Sequence, residues 1–98
     1  MGPGGRGPFC LVALTVTGEG LVPDCRGCYE NFGLYGGEYY YRRCDGEFFI
    51  WNDEWYWYLG PTLGDWGVNH WQGVQFAPVT GDYQPQTGAE GIATVSSS

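Results

Sequence analysis

Four cysteines, at positions 10, 25, 28 and 44, and the single histidine His70 are the residues of this chain with the widest chemical reach. Cys25-Arg26-Gly27-Cys28 is one C-x-x-C pair. A structural zinc site would need Cys10 and Cys44 as its two distant ligands in place of a second such pair. A thioredoxin-type redox pair would put C-x-x-C at the N-terminus of a helix in a βαβ unit, and no such unit is readable here. The competing use is as disulfide staples in a small domain outside the reducing cytosol, or as thiols that bridge to a neighbouring chain. Spacing does not choose among the pairings.

Nucleophilic catalysis has little to work with. The serines are Ser96, Ser97 and Ser98, all in the C-terminal tail, so a Ser-His-Asp arrangement would have to hold a chain end in fixed geometry. His70, next to Trp71, reads as a packed side chain. The 11 acidic residues permit a glycosidase-type carboxylate pair on paper, but 98 residues leave little room for a deep cleft. Calcium loops of the D-x-D-x-D-G type are absent, and Gly33-Leu34-Tyr35-Gly36-Gly37 lacks the lysine of a phosphate-binding loop. The expectation is a non-enzymatic protein with no resident cofactor, zinc being the alternative.

Aromatic rings are the richer resource: 5 Trp, 8 Tyr and 5 Phe. Sugars present C–H faces that stack on Trp and Tyr while acids and amides bind their hydroxyls, which makes Trp51, Tyr56, Tyr58 and Trp71 a candidate platform. The same rings serve equally as core or as subunit interface. Charge narrows the partners. Net charge is −7, the cations are four arginines and the pI is near 4.2, so nucleic-acid phosphates and anionic lipid surfaces are poor targets. The early apolar run from Phe9 to Val16 is too short to span a bilayer and is followed by no small-residue cleavage site, so neither anchoring nor a cleaved export signal is expected.

The elements that must position these residues are strands. Eighteen glycines among many aromatics exclude a helical bundle, and apolar residues nowhere recur at helical spacing over three turns. Residues 1–9 read as a Gly/Pro-rich arm and residues 10–98 as one β domain. Strands are expected near 10–17, 27–32, 38–44, 47–52, 55–59, 68–72 and 92–95. They make a small antiparallel meander of six or seven short strands that forms a sandwich or open barrel. Asp45-Gly46 suits a two-residue turn pairing Arg42 with Phe49 and Tyr41 with Ile50. A second tight turn at Asp53-Glu54 would pair Ile50 with Trp57 and Phe49 with Tyr58. One face is then Tyr39, Tyr41, Arg43, Phe48, Ile50, Asn52, Trp55, Trp57 and Leu59. The other is Tyr40, Arg42, Cys44, Glu47, Phe49, Trp51, Tyr56 and Tyr58. A small domain covers one aromatic face fully, so part of the second is expected to serve as an interface or ligand surface.

The order of motifs resembles a short Trp/Tyr-rich β module of phage fibre and virion proteins and of extracellular proteins. The residues that carry the resemblance begin with Val16-Thr17-Gly18-Glu19-Gly20, Gly27-Cys28-Tyr29-Glu30 and Gly33-Leu34-Tyr35-Gly36-Gly37. Next come Tyr39-Tyr40-Tyr41, Asp45-Gly46, Phe49-Ile50-Trp51, Trp55-Tyr56-Trp57, Leu63-Gly64-Asp65 and His70-Trp71. Pro78 to Pro85, Gly88-Ala89-Glu90-Gly91 and Thr94-Val95-Ser96 complete it. The cysteines depart from the module, which usually lacks them. The resemblance implies an all-β, non-enzymatic building block, such as a capsid decoration or fibre-type subunit assembled on a virion. The alternative it leaves is an extracellular carbohydrate-binding or adhesin module that self-assembles into filaments. Partners are then other virion or filament subunits, or glycans, at a virion or extracellular surface. The arm is expected to lie across a neighbouring subunit, with Arg6 meeting a carboxylate and Phe9 filling an apolar pocket.

Overall fold

The computed structural model describes residues 10–65 and 67–98, so the arm with Arg6 and Phe9 lies outside the described residues. Eight antiparallel strands follow one another around a closed barrel: β1 (Val12–Thr17), β2 (Gly27–Tyr35), β3 (Glu38–Arg43), β4 (Phe49–Asn52), β5 (Trp57–Gly60), β6 (Trp71–Gln72), β7 (Gly81–Pro85) and β8 (Ala93–Ser97). Closure comes from β8 pairing with β1, with Val16 opposite Val95 and Leu14 opposite Ser97. The all-β antiparallel meander is as expected, with one strand more than the upper count and no open seam. That strand is β7. Gly81-Asp82 and Pro85 look like turn punctuation, but Tyr83 between them is buried, and Pro85 ends the strand with the next N–H, of Gln86, donating to His70 O.

An eight-stranded barrel has an interior just wide enough for side chains to fill. Leu14 and Val16 of β1, Tyr29 of β2, Ile50 of β4, Leu59 of β5, Trp71 of β6, Tyr83 of β7, and Ala93 and Val95 of β8 fill it. Large faces small where the wall is tight: Tyr83 lies directly opposite Ala93. Three interior rings carry polar atoms, and each is satisfied by a loop carbonyl. Tyr29 Oη donates to Cys25 O at 2.7 Å, Tyr83 Oη to Val79 O at 2.6 Å, and Trp71 Nε1 to Gly91 O at 2.9 Å. Each bond ties a strand to a connection, and Gly91 needs its missing side chain, since a Cβ there would stand 2.8 Å from Gly20 O.

The β3–β4 connection keeps the expected register, Arg42 opposite Phe49 and Tyr41 opposite Ile50, but not the two-residue turn. Arg43 N donates to Phe48 O, and Gly46 N donates to Arg43 O. The Asp45 carboxylate takes the Glu47 N–H at 2.9 Å, which opens the turn to four residues. The β4–β5 pair is two residues out from the expected pairing: Asn52 opposes Trp57 and Trp51 opposes Tyr58. Asp53 is the cause. Its carboxylate accepts the Trp55 and Tyr56 N–H groups at 2.9 Å each and the Tyr58 hydroxyl at 2.9 Å, so the chain makes a longer loop before β5 begins. A shift of two leaves each side chain on its expected face.

The hydroxyl anchors give a direct test. Tyr29→Phe and Tyr83→Phe each keep the ring and strand a carbonyl, so each should lower unfolding free energy by about 1–3 kcal/mol in urea titration.

Candidate functional site

Side chains alternate across a strand, so the residues next to the interior set point out of the wall. Trp51 and Tyr58 do so, with ring centroids 5.7 Å apart, and yet both are buried, Trp51 at 1% exposure. The connection after β5 folds back on them. His70 stands over Gly60, where a Cβ would lie 3.2 Å from His70 Cβ and 3.5 Å from Trp51 Cη2. Its ring sits 6.1 Å from that of Tyr58, and Gly64 lies beneath the Tyr35 hydroxyl. The outer wall thus carries a second, smaller core.

Of the expected platform residues, Trp51 and Tyr58 are therefore covered, and Trp71 points into the barrel on the opposite face. The four rings do not form one surface. Tyr40, Arg42, Phe49 and Tyr56 are half-buried on the outer wall. There Phe32, pushed out at a bulge between Asn31 and Gly33, packs edge-on to Tyr40 at 6.0 Å, and the Arg42 guanidinium lies 3.9 Å over the Phe32 ring. Arg42 also reaches Glu30 at 3.8 Å. Of the cysteines, Cys10 and Cys44 form a disulfide, Cys25 is a buried free thiol, and Cys28 an exposed one. No cluster of three or more metal-ligating side chains occurs among the described residues.

The up-and-down topology sorts the connections between two ends. One end holds the β1–β2, β3–β4, β5–β6 and β7–β8 connections, and ion pairs organise it. Arg26 bonds Asp24 at 2.8 Å, and its guanidinium holds the Asp24 carboxyl down to about 2. Arg43 bonds Asp45 at 2.9 Å and donates to the carbonyls of Asp24 and Arg26, which sews two connections together.

The other end holds the β2–β3, β4–β5 and β6–β7 connections, and it is apolar and acidic. Trp55 is 53% exposed and Phe76 71%, with ring centroids 5.4 Å apart at 36°. The pair is set by backbone, since Phe76 N donates to Trp55 O at 2.8 Å. Glu54 (φ 87°) and Phe76 (φ 61°) both occupy the left-handed region, an unfavourable state for a non-glycine residue that the surrounding bonds enforce. Val74 on the same connection, and Leu34, Tyr35 and Tyr39 around the β2–β3 hairpin tip, add exposed apolar area. The acids at this end are Glu38, Asp53, Glu54 and, near the start of β7, Asp82, whereas Arg26, Arg42 and Arg43 stand toward the other. Burial raises the Asp53 carboxyl, but its bonds from Tyr56, Trp55 and Tyr58 outweigh that and hold it below the usual range as an anion.

The sequence pattern, with a strand from residue 55, puts Trp55 on one face with Tyr41, Ile50 and Trp57. The structure instead begins β5 at Trp57 and leaves Trp55 exposed in the loop. The pattern does not mark Phe76. An isolated large apolar residue in a polar stretch, Gly73-Val74-Gln75-Phe76, was the available signal. Comparison with protein-family models, with characterised proteins and with solved structures finds no match.

His70 supplies a pH test of the outer core. Its Nδ1 is buried with no hydrogen-bond partner among the described residues, and burial pushes the imidazole below its ordinary 6.5 against the pull of Asp65. A base whose folded pKa is depressed contributes stability that is intact above the unfolded value and is lost as pH falls below it. The melting midpoint should therefore drop between about pH 7.5 and pH 5, above the carboxylate range near ~3.9. His70→Gln should flatten that slope.

Proposed function

We propose that this chain is a non-enzymatic structural module, a capsid-decoration or fibre-type subunit of a virion, which docks on its neighbours through the aromatic end of the barrel. The observation that carries the reading is the Trp55–Phe76 pair, two large rings held out in water by a fixed backbone while the interior is already filled. Fully burying such a ring contributes roughly 1.5–3 kcal/mol, and aromatic anchors of this kind dominate many interfaces. The motif order supplies the virion setting, and the Cys10–Cys44 bridge suits an oxidising, extracellular location.

A second reading, carbohydrate binding at the same end, is favoured by one feature. The exposed rings are flanked by Asp53, Glu54 and Gln75, which are acceptors and donors suited to sugar hydroxyls, with no arginine on the adjoining connections. It too is non-enzymatic and belongs at a virion or extracellular surface.

Trp55→Ala with Phe76→Ala tests both. Because the rings are exposed, the double variant should keep its urea midpoint, with stability within about 0.5 kcal/mol of the parent. It should sediment as a monomer and fail to join particles or filaments that the parent enters. If it assembles like the parent, docking through this end is wrong. If assembly is unchanged but the parent alone binds oligosaccharide by calorimetry, the second reading replaces the first.

A further inference from the structure

Three of the four cysteines meet on the outer wall near the ion-paired end. Cys44 is bonded to Cys10, with Cα atoms 5.7 Å apart. It is also the next residue in the β2–β3 ladder: Tyr29 opposes Arg43, and Cys44 N donates to Cys28 O at 2.9 Å, which puts Cys28 directly across from Cys44. Directly opposed residues share a face, and their Cα atoms stand about 4.5–5.5 Å apart in an antiparallel pair. That lies inside the ~4.4–6.8 Å span of disulfides. Cys44 therefore sits within bonding reach of two partners, one bonded and one a thiol open to solvent. Tyr29, the neighbour of Cys28, points inward, so Cys28 points out, where it is exposed.

Cys25 provides the contrast. It is fully buried in the core, desolvation pushes its thiol up to about 12, and buried thiols of this kind are inert. Around Cys28 the charged groups are Arg26, just ahead of β2, and Glu30 on β2, two residues either side. Arg42 lies two residues before Cys44 on β3 and the Arg43–Asp45 ion pair flanks Cys44, with the neutral Thr15 opposite Cys28 on β1.

We propose that Cys28 is an exchange thiol for the Cys10–Cys44 bridge. The Cys28 thiolate attacks Cys44 Sγ, the Cys28–Cys44 bond forms, the Cys10–Cys44 bond breaks, and Cys10 leaves as a thiolate that takes up the proton Cys28 gave to water. One disulfide and one thiol stand on each side, so no external oxidant or reductant is needed. The product is a cross-strand staple between β2 and β3 and a newly freed thiol at Cys10, and the domain is held by either of two interchangeable links.

The test is disulfide mapping by mass spectrometry of the full chain, incubated at pH 8, quenched with acid and alkylated without reduction. Both Cys10–Cys44 and Cys28–Cys44 peptides should be present, with alkyl label divided between Cys28 and Cys10. Chain held at pH 4 throughout should show only the starting pattern, because the thiolate is the nucleophile. Cys28→Ser should hold the Cys10–Cys44 link alone at both pH values. Cys10→Ser, treated with glutathione disulfide, should form the intrachain Cys28–Cys44 bond. A single Cys10–Cys44 link in the parent at pH 8, or only glutathione adducts in Cys10→Ser, overturns the proposal.

Discussion

A barrel wall has one inner face, and here Ile50, Leu59 and Trp71 fill it, so the residues alternating with them in β4 and β5, Trp51 and Tyr58, must point out. Two large rings on an outer wall are either wet or covered. This chain covers them, and much of its irregular structure follows. The connection after β5 has to return across the wall instead of turning directly into β6. Gly60 has to be small for His70 to settle above it, and burial there pushes the His70 imidazole below its ordinary pKa. Tyr58 spends its hydroxyl on Asp53, which in turn fixes the β4–β5 loop and holds Trp55 in the open.

The two-faced character of this segment was legible because strand alternation depends only on the period. Tyr41 and Ile50, Arg42 and Phe49, and the outward pair Trp51 and Tyr58 were all assignable to faces from the order of residues alone. What the outward face does was not legible, because its cover comes from a Gly-rich connection with no apolar period of its own. The two-residue shift in β4–β5 was hidden for a different reason. Asp53-Glu54 reads as a tight turn, and only the three groups gathered by one carboxylate make it a longer loop. β7 was hidden because its one inward residue, Tyr83, sits between turn-forming neighbours. Barrel closure, which is set by how β7 and β8 reach β1, was therefore beyond a local reading.

Charge and apolar area are divided between the ends in a way that alternation does not require. Of the three described arginines, Arg26 and Arg43 stabilise the connections at one end, through Asp24, Asp45 and backbone carbonyls, and Arg42 covers Phe32 on the wall between. None remains to pair the acids at the other end, where Trp55, Phe76 and Val74 stand exposed. Exposed apolar residues beside acids on a small domain are the feature on which the proposed docking reading rests.

The disulfide and the aromatic end are separated along β3. Tyr39 stands near the strand's start beside the hairpin tip, and Cys44 follows Arg43 at its finish, roughly 17 Å away at about 3.3 Å per residue. Breaking or moving the covalent link therefore changes how the wall is held to the chain ahead of β1 without touching Trp55 or Phe76. Tyr29, the core residue beside Cys28, is anchored by its hydroxyl to the Cys25 carbonyl. Each end keeps its own stabilising interactions: ion pairs and thiols at one, Asp53 and the Phe76–Trp55 backbone bond at the other. In a barrel built this way, the bridge at one end and the exposed rings at the other are held by separate sets of interactions.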